Sequence, residues 1–418
     1  MLNLLKLDRS ILTLFKKIGP GLLYAAAAVG VSHLVQSTRA GANYGWIMVA
    51  IVFLANLVKY PFFLIGPLYT YHKGKTILEG FQKLGKWSLW LYLLTTLATL
   101  YTTVAVISLI CSSLISSIFH INYPLWFISL TLILIVIYLV YFGKFKQLSA
   151  IIKLIILLLS VSSIVALFLA FNSAENFSVF ESSFSIFNRI DILFLISLIG
   201  WMPAPLDIII WQSEWMTEQQ KIRAFTLKGT LFDFNVGYWG TTFLAVVFTS
   251  LGVLVLHNSK IPLEVSASGF IAQLIHLYTS TIGDYAYPFI AFAAIATMLS
   301  TLITVIDAYT RVIPKVSSML FDLNDSNYNI ISKINLLLIV SMSVLILKFG
   351  LNSLTNLIDL ATSISFLTAP MLATLYLLLL RKTPITDRNK RQYLFISSII
   401  GLIFLVIFSA IYIYYTFL

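Results

Sequence analysis

Eleven stretches of this chain are apolar and long enough to cross a hydrocarbon layer of about 30 Å, which takes roughly 20 helical residues. They fall near 20–45, 47–70, 87–117, 124–142, 150–171, 192–213, 236–257, 285–307, 332–350, 355–380 and 393–417. No water is available in hydrocarbon to bond an exposed N–H or C=O, so each stretch satisfies its backbone internally as a helix. The expected fold class is an all-α polytopic membrane protein with eleven transmembrane helices. Composition agrees, since only 10% of the 418 residues are charged and 59% are hydrophobic, whereas a soluble domain carries about a quarter charged residues.

Lys and Arg set the expected orientation, because positive residues are retained on the cytoplasmic side. With the N-terminus inside, twenty-two of the 27 fall on cytoplasmic connections; Arg189, Lys260 and Lys348 fall on the other side, and Arg39 and Lys59 fall within spans. This places the protein in a cell membrane, plasma or inner, with the N-terminus cytoplasmic and the C-terminus outside. The net charge of +11 then reports topology, and nucleic acid is not expected as a partner. The basic, amphipathic residues 1–18 suit a helix lying on the inner leaflet of the bilayer, and no cleavable signal peptide is read there. The lone Cys111 is expected as a small core residue. The connection 258–284 contains a helical spacing that predicts a surface helix on the outer face.

No soluble domain is expected, so residues 1–418 form a single transmembrane transport domain. Residues 19–171 make a first five-helix repeat, 192–380 a second, and 393–417 an extra helix. Two spans carry breaks at mid-membrane. The first, GPGLLYAAAAVGVSHLVQSTRAGANYGW from Gly19 to Trp46, is interrupted at Val29 to His33; the sixth carries Gly200, Pro203 and Pro205 at its centre. Proline removes a backbone donor and clashes with the preceding turn, and a membrane tolerates such a break only where it is buried or lines a cavity. Spans one and six are the first members of two five-helix units, the arrangement of the LeuT-type inverted repeat, in which broken helices hold the substrate.

These residues resemble the Nramp (natural resistance-associated macrophage protein) family of proton-coupled divalent metal transporters. The resemblance rests on Gly19-Pro20, the break eleven residues on, Ala40 to Gly45, and Met202-Pro203 in span six. It implies the same fold and a substrate site at Gly30, Val31, Ser32, His33, Met202, Pro203 and Ala204. In the family the first break reads Asp-Pro-Gly-Asn and supplies two oxygen ligands to the metal; the matching positions here are Gly30, Val31, Ser32 and His33. The family histidine after Met-Pro is Ala204, and span three has no carboxylate.

A divalent ion of the manganese or magnesium class needs several oxygen or nitrogen ligands, preferably charged. Without the aspartate, the positive end of the resumed half helix favours an anion, with Ser32 a candidate cap. The expected function is a secondary transporter or facilitator of a small inorganic anion such as bicarbonate. A divalent-cation carrier using His33, Met202 and carbonyls, and a non-transporting sensor, stay open as alternatives. No metal-ligand spacing, catalytic constellation or phosphate loop is present, so neither an enzyme nor a cofactor is expected, and the energy comes from an ion gradient or from the substrate's own.

Ser32, Gln36, Arg39 and Asn43 recur on one helical face, with Arg39 about 13 Å from Gly30 along the axis. Gln36 and Arg39 are read as vestibule residues. Lys59 and Asp207 lie on the inner side of mid-membrane, where charges are costly and usually paired; an ion pair, a proton-coupling site and a structural staple are all open for them. Asp307 and Asp359 are expected near hydrated span ends.

Overall fold

A computed structural model describes residues 19–142, 145–173, 184–221, 224–258, 263–264, 266–350, 353–385 and 387–417. The amphipathic segment 1–18 lies outside the described residues. Among them every regular element is a helix. Among the described residues seven helices are long and apolar enough to cross a membrane, two shorter apolar ones cover Leu125–Tyr141 and Leu157–Asn172, and two further helical segments are interrupted.

Span one is Pro20–Ala28, a bend at Val29 and Gly30, then a wide π turn Val31–Ser37 running into Thr38–Tyr44. Spans two to five are Ile47–Lys73, Lys86–Phe119, Leu125–Phe142 and Phe145–Ser173. Span six is Arg189–Gly200, an irregular stretch 201–207, then Ile208–Gln220. Spans seven to eleven are Leu227–Leu251 with a π turn to His257, Tyr287–Phe321, Asp325–Phe349, Leu354–Arg381 and Arg388–Phe417. The helix expected in the connection 258–284 forms at Ala267–Ile282, with the Ser266 hydroxyl accepting from Gly269 N–H at its start.

Spans one and six sit in the centre, with one packed against spans seven and eight and six against spans two and ten. The lipid-facing helices are recognisable by exposure: span nine has 17% of its apolar window buried and span eleven 28%, against 72% in spans seven and eight. Large apolar side chains such as Leu337, Phe349 and Ile400 are exposed on these outer helices, as hydrocarbon as solvent permits.

Two features hold the broken span one. The Asp233 carboxylate of span seven accepts from Gly19 N–H and Gly21 N–H, each at 2.8 Å, satisfying donors that the first helical turn leaves unpaired. At the other end of span one, Gly41 and Gly252 let spans one and seven cross backbone to backbone. A Cβ on Gly41 would run into the Thr249 carbonyl oxygen, and one on Gly252 into the Thr38 carbonyl oxygen. Small residues at such crossings are the usual device for close helix approach in membranes.

Candidate functional site

Both breaks exist, with limits that differ from those read in the sequence. In span one only Val29 and Gly30 leave the helix, and Val31 to His33 are already wound as a π turn. A wide π turn absorbs the irregularity while keeping most backbone groups bonded. The His33 and Leu34 N–H groups both return to the Gly30 carbonyl, at 3.1 and 2.9 Å, so the Val31 and Ser32 N–H groups ahead of them form the positive end of the resumed helix. In span six the opening runs from Trp201 to Asp207, longer than the Gly200 to Pro205 expected, because two prolines within three residues deny the chain consecutive helical donors.

The two openings share one cavity. Ala28, Val31 and Ser32 line it from span one, Trp201, Ala204 and Pro205 from span six, Ile208 and Trp211 from the resumed half of span six. Spans three and eight close it with Thr103, Ile107, Thr301 and Val305. The cavity is small, about 30 Å³, room for two or three waters at roughly 10–15 Å³ each, which suits an ion of a few atoms. No lining side chain is ionisable.

Of the residues singled out in the sequence, Val31, Ser32 and Ala204 reach this cavity; Gly30, His33, Met202 and Pro203 are not among its lining. Gly30 is instead pressed against Thr301, whose Oγ1 lies 2.6 Å from where a Cβ would stand. Met202 is fully buried elsewhere. His33 is also fully buried, with Nε2 donating to the Thr241 carbonyl at 3.0 Å and Nδ1 2.7 Å from Ser32 Oγ. An imidazole with both nitrogens engaged has no free lone pair for a metal, which corrects its reading as a ligand. Ser32 is not a cap; its single hydroxyl proton stands between the Ala28 carbonyl and His33 Nδ1, each 2.7 Å away, so the side chain turns in on the span itself.

The charged residues also differ from expectation. Lys59 and Asp207 do not pair. The Lys59 ammonium donates to the carbonyls of Ile199 and Gly200 at 2.5 and 3.0 Å, while Asp207 Oδ2 accepts from the Tyr309 hydroxyl at 3.3 Å. Arg39 is buried and does not present a free charge to a vestibule: it forks onto Asp359 at 2.8 and 3.0 Å and donates to Gln36 at 2.6 Å. Gln36 and Asp359 in turn bond the Ser197 hydroxyl, so this network ties spans one, six and ten together on the side of the cavity that Arg39 occupies. Asp359, near the start of span ten and with a third of its side chain exposed, is thus engaged in an ion pair. Asp307 is likewise buried, paired with Arg311 at 2.7 Å and accepting from Trp215 Nε1 at 3.3 Å.

Thr103, Thr301, Trp201 and Trp211 were not anticipated. A signal was present: threonines recur at helical spacing in span three (Thr95, Thr96, Thr99, Thr103) and in span eight (Thr297, Thr301, Thr304). Hydroxyls in such stripes commonly bond the carbonyl a turn back, as Thr301 does to Thr297 and Thr304 to Ser300, so the pattern alone does not separate a site from a satisfied helix.

Among known proteins, an uncharacterised protein of Pasteurella multocida (strain Pm70) is 34% identical over 402 residues, 96% of this chain and 92% of that one. A mutant of the Eremococcus coleocola manganese transporter shares the fold at 13% identity, with a TM-score of 0.66 over 94% of this chain and 85% of the other. MhsT in complex with L-phenylalanine is similar at 16% identity, TM-score 0.59, over 94% and 98%. The natural resistance-associated macrophage protein-like pattern matches residues 21–416. With the broken spans, the LeuT-type packing and this match over nearly the whole length, the chain belongs to the Nramp family of membrane transporters.

Proposed function

We propose that this member of the family carries a small inorganic anion, bicarbonate first among the candidates, by alternating access at the shared cavity. The observation that carries the reading is the cavity wall itself. It holds the Ser32, Thr103 and Thr301 hydroxyls, two indoles and apolar groups, with no carboxylate and no imidazole, and among these donors the Trp211 indole N–H is buried without a partner. The positive end of a half helix stands at the break. Among the described residues no three of His, Cys, Asp and Glu come together. A divalent ion gives up its hydration only to several oxygen or nitrogen ligands, whereas a small anion accepts from the Trp211 N–H and from the amides of Val31 and Ser32 at the break.

A second reading, a divalent-metal carrier, is favoured by the shared fold with a manganese transporter and would draw on carbonyls and Met202 after a rearrangement. Proteoliposome flux separates the two. Radiolabelled bicarbonate, formate, nitrite, chloride and manganese are offered in turn. Uptake of one of the anions, unaltered by added manganese, is expected. Saturable manganese uptake with no anion flux would overturn the anion reading, and no flux of any kind would favour a sensor.

A further inference from the structure

The other pole of the break in span six is occupied by the protein's own charge. The helix Arg189–Gly200 ends with the carbonyls of Ile199, which still accepts from Met202 N–H at 3.2 Å, and of Gly200, and a helix C-terminus carries about half a negative charge. In transporters built on broken helices, unwound carbonyls and half-helix ends coordinate the coupling cation. Here the Lys59 ammonium of span two fills that position, donating to both carbonyls, with its side chain fully buried. None of the ion pairs among the described residues involves Lys59, so the carbonyl end is what compensates it. The packing leaves this end little freedom, since a Cβ on Gly200 would run into the Thr362 carbonyl oxygen of span ten. Trp201, the next residue, lines the cavity and donates from Nε1 to the Ser365 hydroxyl at 2.8 Å.

We propose that Lys59 is a tethered cation that stands permanently where a mobile alkali cation would bind, making the transport cycle independent of sodium and potassium. An ammonium supplies the same unit charge as an alkali ion and up to three donors, and it cannot dissociate. It also silences the negative pole beside the cavity while the positive pole of span one remains, which biases the site toward anions. The inference rests on reading the two breaks as the transport site and holds for either cargo.

The test is thermal melting of the purified protein in sodium, potassium or choline chloride at equal ionic strength, joined to flux in the same salts. The wild type is expected to melt alike in all three and to transport alike. Lys59→Met is expected to melt lower in choline and to recover with sodium or potassium in a saturable way, because a ligand bound only by the folded state raises its stability. Its transport becomes dependent on that cation, and Lys59→Arg behaves like the wild type. A purely structural lysine would lower stability equally in every salt. If Lys59→Met does not fold, Lys59→Ala is prepared with propylammonium chloride, which replaces the missing atoms; recovery of folded protein with propylammonium and not with choline is expected. Wild-type melting or flux that rises saturably with sodium, equal melting of Lys59→Met in all salts, or failure of propylammonium to rescue Lys59→Ala would each overturn the proposal. Absence of flux for every cargo would instead count against the transport reading, since melting reports cation binding without it.

Discussion

Arg39 shows what pairing does for a charge in the membrane. Its guanidinium is almost wholly buried, and Asp359 meets it with both carboxylate oxygens although a third of the Asp359 side chain stays exposed. Removing one partner strands the other, which for a buried pair costs about 3–5 kcal/mol; the exposure of Asp359 puts Asp359→Ala near the lower end of that range. The double variant Arg39→Met with Asp359→Leu is expected to recover much of the loss in thermal melting, because neither charge remains. Lys59 and Asp207 make the contrast. They share no partner, so the losses of Lys59→Met and Asp207→Asn are expected to add within about 0.5 kcal/mol. Recovery of stability in that second double variant would show that the two are coupled after all.

At the level of the element, the break in span one is one glycine packed against one threonine. Thr301 Oγ1 lies 3.3 Å from the Ala26 carbonyl and 3.4 Å from that of Val29, near the end of the first half helix, and its side chain fills the place a Cβ on Gly30 would take. Overpacking of this kind costs roughly 1–3 kcal/mol. Gly30→Ala is therefore expected to lower the melting temperature and transport together, and adding Thr301→Ala to restore a good part of both. The same geometry sets the terms for rebuilding a metal site. Gly30→Asp needs Thr301→Ala beside it to be accommodated; in that background, with His33→Asn, manganese binding measured by titration calorimetry is expected to strengthen and anion flux to fall, since the carboxylate supplies the charge a divalent ion requires and repels an anion. Unchanged anion flux in that variant would place the cargo elsewhere.

For the molecule as a whole, orientation follows from where positive charge accumulates, and it is open to direct measurement because Cys111 is the only cysteine and is buried. In a Cys111→Ser background, a membrane-impermeant maleimide is expected to label Tyr285→Cys, at the exposed start of span eight, in intact cells. Lys390→Cys, in the basic first turn of span eleven, is expected to react only after permeabilisation. The reverse pattern would invert the topology.

The membrane class, the spans and the two breaks were legible in the chain because apolar runs, glycine and proline act locally: their consequences are felt within a few residues of where they stand. What filled the site was not. His33 sits beside the break in sequence, yet its ring turns to the Thr241 carbonyl while Thr301 and Trp211, far along the chain, form the wall. Lys59 and Asp207 read as natural partners by depth, but depth along a helix says nothing about direction around it. Whether a buried charge met a carboxylate, as Arg39 does, or a pair of helix-end carbonyls, as Lys59 does, was decided only by how spans one, two, six, eight and ten pack. Contacts between helices depend on rotation and close approach of whole elements, quantities no single segment of sequence contains.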